Sequence, residues 1–338
     1  MTDDTCVIGA GSWGTSLAIL LALKGVKVRL WVYEAELAKT IREDRVNDIY
    51  LPGFRIPEAV IPMAALKEAV EGCRVVINVV PSHALRSILS QASGHLDECK
   101  MILSATKGIE NETLMTIDEV LKDVLPSPLH DRMVFLSGPT FARDVAAGRP
   151  TAATVASEDR ECAKEAQELL SAPSFRLYTS PDVKGVVLGG ALKNVMAIAA
   201  GISDGLGLGD NARAALITRG LAEMTRLGVK MGALPATFSG LAGIGDLVLT
   251  CTGDQSRNRS VGHKIGQGQS LPRILEEMKM VAEGVKTVRS VMGLMKRHDV
   301  DLPIAQKTYA ILHEGEKPSL AVMELMTRSL KEELEPSP

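Results

Sequence analysis

Lys193 is the residue whose surroundings most clearly suggest chemistry, because it interrupts the apolar run 186–201, where an unpaired ammonium is costly to bury. Burial lowers a lysine pKa from about 10.4 towards neutrality, and such a lysine is a suitable general acid/base for interconverting an alcohol and a ketone. Gly189, one helical turn earlier, leaves room for another group to approach. The alternative is a structural salt bridge to an aspartate, and Asp204 lies on the same helical face. The spacing alone leaves both interpretations open.

A second candidate site is the glycine pattern near the start of the chain. Gly9, Gly11 and Gly14 form a GxGxxG sequence between a predicted strand, residues 5–8, and a predicted helix, residues 12–24. Such glycines permit a tight turn, the approach of a pyrophosphate to the backbone, and close packing of helix on strand. The helix N-terminus offers free N–H groups and partial positive charge to an anion. The pattern predicts a dinucleotide site in preference to a plain strand–helix turn.

Glu34 bears on which dinucleotide is bound. It follows the second predicted strand, residues 26–31, and lies twenty residues after Gly14. An acid at this place commonly accepts a hydrogen bond from the ribose 2′-hydroxyl and repels a 2′-phosphate. No arginine stands beside it, and the nearest one downstream is Arg42. The pattern favours NAD over NADP, although a solvated acid at a helix start is a common alternative.

Further polar residues follow later strands or open helices. Lys107 and the segment 137–142 each come directly after a predicted strand, so both lie at the carboxyl edge of the sheet, where ligands bind in such folds. Arg257 stands at the start of a predicted helix that runs to about residue 265. A cation there opposes the helix dipole unless an anion is bound, which makes the turn either a phosphate cradle or a solvated basic turn.

Two acidic residues in the second half leave their roles open. Asp246 shares a helical face with Thr250, four residues further on. Glu283 opens another predicted helix and either bonds an amide or a ribose or serves only the helix start.

The elements that position these residues fall into two parts. Apolar runs predict strands over residues 5–8, 26–31, 75–80, 101–105, 134–137, 154–156 and 175–179. Helix-period segments between them cover residues 12–24, 34–43, 84–91 and 158–170. After residue 180 the sequence is helical almost throughout. We therefore predict an α/β Rossmann-type doubly wound sheet in a dinucleotide-binding domain, residues 1–185, and an all-α substrate-binding and catalytic domain, residues 186–338.

Composition limits the function classes. The net charge of −3 and the pI near 6.1 argue against nucleic acid as a partner. The five cysteines are dispersed and no metal-ligand spacing is present, so reduced thiols and no metal are expected. No signal peptide is expected, and the apolar run 186–201 contains Lys193 and Asn194, so we interpret it as a buried helix and not as a membrane span.

From Cys6 to about Glu314, the chain resembles the NAD(P)-dependent glycerol-3-phosphate dehydrogenase family. The matching segments, in family order, are GAGSWG at 9–14, ATKG at 105–108, SGPTFA at 137–142, LKN at 192–194, GIGD at 243–246, SRNR at 256–259 and VAEG at 281–284. The resemblance implies hydride transfer between NAD(P) and sn-glycerol 3-phosphate or dihydroxyacetone phosphate, supplying glycerol 3-phosphate for phospholipid synthesis. It also implies a cytosolic homodimer.

The resemblance also implies roles for individual residues. Lys193 matches the proton acceptor of the family, and in the mechanism that the resemblance implies Asp246 could orient Lys193 and tune its pKa. The implied substrate contacts are Lys107, Gly138, Thr140, Lys193, Asn194, Asp246, Ser256, Arg257 and Asn258. The candidate cofactor contacts are Gly9, Gly11, Ser12, Trp13, Gly14, Tyr33, Glu34, Tyr50, Pro81, Lys107, Ala142, Arg257, Val281 and Glu283. Many bacterial members carry arginine where this chain has Tyr33, which adds to the preference for NAD.

Two alternatives remain at the level of sequence. One is a β-hydroxyacid or 6-phosphogluconate-type dehydrogenase, which shares the two-domain plan and a helix lysine. The other is a nucleotide-sensing module that has lost catalysis, against which Lys193 in its apolar helix argues.

Overall fold

The computed structural model describes residues 5–278, 282–330 and 332–333. Eight short strands form one sheet: β1 (Thr5–Ile8), β2 (Val28–Trp31), β3 (Val60–Met63), β4 (Val75–Asn78), β5 (Met101–Ser104), β6 (Met133–Ser137), β7 (Thr151–Ala156) and β8 (Phe175–Ser180). The strand order is β3-β2-β1-β4-β5-β6-β7-β8, and neighbouring strands are parallel except for the antiparallel pair β6 and β7. The predicted fold class is confirmed.

Helices cover both faces of this sheet. They are α1 (Ser12–Leu23), α2 (Ala35–Asp44), α3 (Leu66–Val70), α4 (Ser82–Ser93), α5 (Ile117–Val124), α6 (Ala142–Ala146) and α7 (Arg160–Leu170), with a 3-10 turn at Ser127–Arg132. Side chains alternate along β1: Val7 packs with residues of α1, α2 and α7, whereas Cys6 and Ile8 pack with residues of α3, α4 and α5. Because strand side chains alternate in direction, burial on both faces gives continuous apolar strands.

The second half is built around one long helix. The helices are α8 (Val183–Gly205), α9 (Gly209–Lys230), α10 (Pro235–Phe238), α11 (Asp246–Thr252), α12 (Arg257–Gly266), α13 (Leu271–Glu277), α14 (Glu283–His298), α15 (Pro303–Tyr309) and α16 (Pro318–Met326), with π-helical turns at Leu241–Gly245 and Ala310–Glu314. Helix α8 is long and apolar enough to cross a membrane, but its apolar window is 100% buried inside the protein. It is therefore the core helix of this half, as its sequence predicts.

The connection that follows β5 reaches into the helical half. Ile109 is buried within the apolar cluster of the helices, together with residues of α8 and α14. The hydroxyl of Ser290 in α14 donates a hydrogen bond to Oδ1 of Asn111 at 2.5 Å. This connection is thus fixed to the helices immediately after Lys107.

The sequence prediction missed β3. This strand is four residues long at the edge of the sheet, contains Pro62 and leaves Ile61 40% exposed. A proline lacks the N–H that a central strand needs, so its presence points away from a strand although an edge tolerates it. The other predicted strands are present, with ends that differ by a few residues. The division of the chain at residue 185 stays a prediction.

Candidate active site

The strand order places most of the candidate residues along one edge of the sheet. The carboxyl ends of β2, β1, β4, β5 and β6 are adjacent in that order. They are followed by Glu34, Gly9, Pro81, Lys107 and Gly138, respectively. Residues far apart in the sequence therefore form a row at the edge where open α/β sheets bind ligands.

Lys193 and Lys107 share one carboxylate above this edge. The Nζ atom of Lys193 donates to Oδ1 of Asp246, and the Nζ atom of Lys107 donates to Oδ2 of the same residue at 2.7 Å. Lys193 also donates to the hydroxyl of Thr250 at 2.8 Å. That hydroxyl donates in turn to the carbonyl of Asp246 at 2.6 Å, so only its lone pairs face the lysine. Lys193 is 7% exposed and Asp246 is 1% exposed.

A close backbone contact positions Asp246. A Cβ atom at Gly189 would stand 2.3 Å from the carbonyl oxygen of Ala242, in the π-helical turn Leu241–Gly245. Because Gly189 has no side chain, this turn lies directly against α8, and α11 begins at Asp246 on the same side as Lys193. The approaching group that Gly189 suggests in the sequence is thus the backbone that carries Asp246.

Electrostatics makes Lys193 the titrating member of the cluster. Burial lowers the pKa of Lys193 to about 7, because desolvation and repulsion by Lys107 outweigh attraction by Asp246. Burial acts to raise the pKa of Asp246, but the attraction of both lysines outweighs it and holds this pKa below its usual range. One ionised carboxylate therefore faces two amines, and the more deeply buried amine loses its proton near neutral pH.

A second group of side chains joins three helices beside this cluster. Nδ2 of Asn258 donates to Oδ1 of Asn194 at 3.0 Å, and Oδ1 of Asn258 accepts from the backbone N–H of Gly284 at 2.9 Å. The amide nitrogen of Asn194 has no protein acceptor within the described chain, so its N–H groups are available to a ligand. Ser256 caps α12 through its side chain, which accepts from the N–H of Arg259 at 3.2 Å.

Arg257 begins α12, and its side chain is exposed. Surrounding protein nevertheless lowers the pKa of its guanidinium by desolvation, and Glu283 opposes this change. Among the residues that the structure describes, no hydrogen bond or salt bridge to Arg257 is formed. A cation at a helix N-terminus that forms no salt bridge within the described chain is suited to binding an anionic ligand.

Glu283 connects the helical half with the sheet edge. The hydroxyl of Ser82, at the start of α4, donates to Oε2 of Glu283 at 2.8 Å. Burial raises the pKa of Glu283, although Ser82 and Arg257 oppose the change. Pro81 is the N-cap of α4, next to this contact. These groups join the start of α14 to the start of α4.

The glycine turn has the shape that a dinucleotide requires. A Cβ at Gly14 would stand 1.9 Å from the carbonyl oxygen of Gly9, whereas a Cβ at Gly11 would meet nothing within 4 Å. Gly11 is the N-cap of α1, and no side chain caps that helix. The first N–H groups of α1 thus face open space beside Gly11, which fits a bound pyrophosphate.

The remaining predicted contacts follow strands of the sheet or lie at the starts of helices. The ring of Trp13 packs 6.5 Å from the ring of Phe175, and the carbonyl of Ala142 accepts a hydrogen bond from Ser16 at 2.9 Å. Tyr33 is 77% exposed and lies edge-on to Trp31. The hydroxyl of Thr140 donates to the carbonyl of Gly138 at 3.1 Å, and Ser12, which opens α1, is partly buried.

The acidic partner of Lys193 is Asp246, as the proposed orienting role of Asp246 requires. Asp204, which helical spacing places on the same face as Lys193, pairs with Arg213 and Arg259 instead. The two interpretations of Lys193 are also not exclusive, since the lysine is both salt-bridged and poised to titrate. Val281 lies outside the described residues.

The sequence pairs Thr250 with Asp246 on one helical face, and the structure adds the hydrogen bond from Lys193 to the Thr250 hydroxyl. Sequence reasoning overlooked Ser82, which could have been found from its place at the start of the helix that follows β4. Within the described chain, no group of three or more His, Cys, Asp or Glu side chains could hold a metal ion.

Comparison with known proteins gives matches to both halves of the chain. Residues 4–163 match the family model described as the NAD-dependent glycerol-3-phosphate dehydrogenase N-terminus, and residues 182–323 match the corresponding C-terminus. A glycerol-3-phosphate dehydrogenase [NAD(P)+] of Geobacter sulfurreducens is 56% identical over 98% of this chain and 99% of its own length. The protein of the same description from Geobacter metallireducens is 57% identical over the same shares.

Solved structures give a consistent result. Glycerol-3-phosphate dehydrogenase of Coxiella burnetii superposes with a TM-score of 0.92 at 41% identity, covering 96% of this chain and 98% of that one. A ketopantoate reductase of Ralstonia eutropha reaches a TM-score of 0.61 at 16% identity, covering 94% of this chain and 99% of that one. The second likeness concerns the fold alone.

Proposed function

The chain belongs to the NAD-dependent glycerol-3-phosphate dehydrogenase family, and from this premise we propose which of its residues carry out the reaction. It is an oxidoreductase that transfers a hydride between NAD(P) and sn-glycerol 3-phosphate or dihydroxyacetone phosphate. Because both halves match this family, we do not retain the β-hydroxyacid dehydrogenase or sensing-module alternatives. The observation that carries the proposal is the buried Lys193–Asp246–Lys107 cluster at the carboxyl edge of the sheet.

The dinucleotide is held by the glycine turn and the row of residues beside it. Gly9, Gly11 and Gly14 shape the turn, and the free N–H groups of α1 bind the pyrophosphate. The other contacts that we propose are Ser12, Trp13, Tyr33, Glu34, Tyr50, Pro81, Lys107, Ala142, Arg257 and Glu283. Val281, outside the described residues, is proposed from the sequence alone. When bound, the nicotinamide supplies the hydride acceptor in one direction and the hydride donor in the other.

Lys193 moves the proton. In the oxidation of glycerol 3-phosphate, its neutral Nζ takes the proton of the C2 hydroxyl, and in the reverse direction the ammonium returns it. Hydrogen bonds to Asp246 and Thr250 occupy two positions around Nζ, which leaves the lone pair or the third hydrogen to face the substrate. Lys107 and the free N–H of Asn194 polarise the same substrate oxygen.

Substrate binding depends on the start of α12. Arg257, with the nearby Ser256 and the remaining N–H of Asn258, binds the phosphate, while Gly138 and Thr140 approach the substrate from the sheet side. Binding at this non-reacting end fixes C2 relative to Lys193. The exposed guanidinium, which forms no salt bridge in the described chain, supports this assignment.

We also propose a cofactor preference, a location and an oligomeric state. The carboxylate of Glu34 beside an exposed Tyr33 supports a preference for NAD over NADP. The chain acts in the cytoplasm as a homodimer and supplies glycerol 3-phosphate for phospholipid synthesis. Residues 1–185 bind the dinucleotide, and residues 186–338 bind the substrate and supply Lys193.

An assay of NADH oxidation tests the phosphate site. We expect turnover with dihydroxyacetone phosphate, and Arg257→Ala should raise the KM for this substrate by about 10- to 100-fold, since charge-assisted hydrogen bonds to the phosphate are lost. The KM for unphosphorylated dihydroxyacetone should barely change. Arg273→Ala, on exposed α13, is the matched control and should leave both values unchanged. Equal effects of Arg257→Ala on the two substrates would contradict the phosphate cradle.

A further inference from the structure

The side chain of Glu34 is held in place by a neighbour. The hydroxyl of Tyr50 donates to Oε1 of Glu34 at 2.7 Å, and this contact raises the pKa of the tyrosine. Oε2 of Glu34 has no hydrogen-bond partner among the described side chains and backbone groups. One oxygen is thus occupied by the protein, and the other is available to a ligand.

Tyr50 is in turn tied to the glycine turn. Asn47 is fully buried, and its Nδ2 donates to the carbonyl of Ala10 and to the hydroxyl of Thr15, both at 2.8 Å. Its Oδ1 accepts from the backbone N–H of Tyr50 at 3.2 Å. Ala10 lies between the first two glycines of the turn. Hydrogen bonds of Asn47 and of Tyr50 therefore connect the pyrophosphate-binding turn with the carboxylate of Glu34.

The two arginines next downstream of Glu34 donate hydrogen bonds to backbone carbonyls and not to Glu34. Arg42 donates to the carbonyl of Pro62 at 3.0 Å. Arg45 is buried, and its guanidinium donates to the carbonyls of Ile56 at 3.1 Å and Val60 at 2.9 Å. Neither arginine forms a salt bridge with Glu34, so neither competes with a ligand for its carboxylate.

We propose that Tyr50, anchored by Asn47, is a positioning residue that orients Glu34 and thereby sets the preference for NAD over NADP. This inference rests on the proposed dinucleotide site. A carboxylate that is already ordered loses less rotamer freedom when it accepts the ribose 2′-hydroxyl. The same fixed charge cannot swing away from a 2′-phosphate, so the one contact favours NADH and disfavours NADPH.

Direct binding tests the role of Tyr50. Dissociation constants for NADH and NADPH would be measured by calorimetry for the wild type, Tyr50→Phe, Glu34→Ala and the double variant. We expect Tyr50→Phe to lower the preference for NADH by about 3- to 10-fold, the effect of one hydrogen bond, mostly through weaker NADH binding. In the Glu34→Ala background, Tyr50→Phe should not change the preference for NADH over NADPH any further. The reason is that Tyr50 sets this preference through the carboxylate of Glu34.

Tyr178→Phe is the matched control. Tyr178 is an exposed tyrosine on β8, at the opposite edge of the sheet, and its loss should leave both dissociation constants unchanged. An unchanged preference in Tyr50→Phe would overturn the proposal, as would an equal loss for both dinucleotides or a further change in the Glu34→Ala background. Failure of the wild type to bind either dinucleotide would instead overturn the proposed function, and the role of Tyr50 with it.

Discussion

Charge is buried at one end of the candidate site and exposed at the other: the amine end holds Lys193 and Asp246, and the dinucleotide end holds Glu34. Lys193 and Asp246 are almost inaccessible, and the pKa of each is displaced by burial and by its charged neighbours. Glu34 is exposed, and its orientation depends on one tyrosine hydroxyl. Substitutions at the amine end should therefore change proton transfer, whereas those at the dinucleotide end should change binding through shape and orientation.

The largest effect is expected from Lys193→Ala. Loss of the general acid/base should lower kcat by about 10²- to 10⁴-fold, while the affinity for NADH stays nearly constant. Steady-state kinetics and calorimetric binding of NADH would measure the two quantities. Lys184→Ala is a matched control on the same helix, because Lys184 is salt-bridged to Asp118 and Glu119. A near-normal kcat in Lys193→Ala would contradict the assignment of proton transfer to the amine end of the site.

The pH dependence of kcat should differ in sign between the two directions of the reaction. Reduction needs protonated Lys193, so kcat should fall about tenfold per pH unit above the pKa of about 7, provided that proton transfer limits the rate. Oxidation needs the neutral amine, so kcat should fall on the acid side of the same value. Rates measured from pH 5 to pH 10 would show both limbs.

The variant Lys107→Gln tests whether Lys107 sets the pKa of Lys193. Because Lys107 lowers the pKa of Lys193 by repulsion, its removal should move both limbs to higher pH. A shift to lower pH, or none, would show that Lys107 does not tune the base.

A smaller effect is expected from alanine at Gly11. Its Cβ meets no protein atom within 4 Å, so the melting temperature should stay constant while the methyl group weakens NADH binding by about tenfold, roughly 1.4 kcal/mol.

Gly14→Ala is the paired variant. Its Cβ would stand 1.9 Å from the carbonyl oxygen of Gly9, so the fold should lose about 1–3 kcal/mol. Calorimetry and thermal unfolding of both variants would separate binding from stability. Equal loss of stability in both would contradict the assignment of Gly11 to the ligand.

The sequence predicts local features of this protein better than its long-range pairings. The apolar runs locate β1, and the glycine pattern locates the turn before α1, because both signals arise from neighbouring residues. Edge strand β3 escaped detection because it is short and contains Pro62. Its absence from the prediction does not affect the site.

The partner of Lys193 shows why residue spacing alone does not give long-range pairings. Helical spacing singles out Asp204, which lies on the same face of α8 but is engaged by Arg213 and Arg259. The true partner, Asp246, comes from another helix and depends on the tertiary contact at Gly189. Gly189 signals that something approaches, but a spacing rule cannot say which segment does so.

The insertion of Ile109 into the helical core has a consequence for motion. Although Lys107 follows a strand of the sheet, the residues just after it are anchored to α8 and α14. On its other side, Thr106 is bonded to Asn78 and to the carbonyl of Val80 at the sheet edge. Lys107 thus stands at the junction of the sheet and the helices, and its ion pair with Asp246 links the two. A movement of the sheet relative to the helices would strain this ion pair, so the proton affinity of Lys193 is coupled to such a movement.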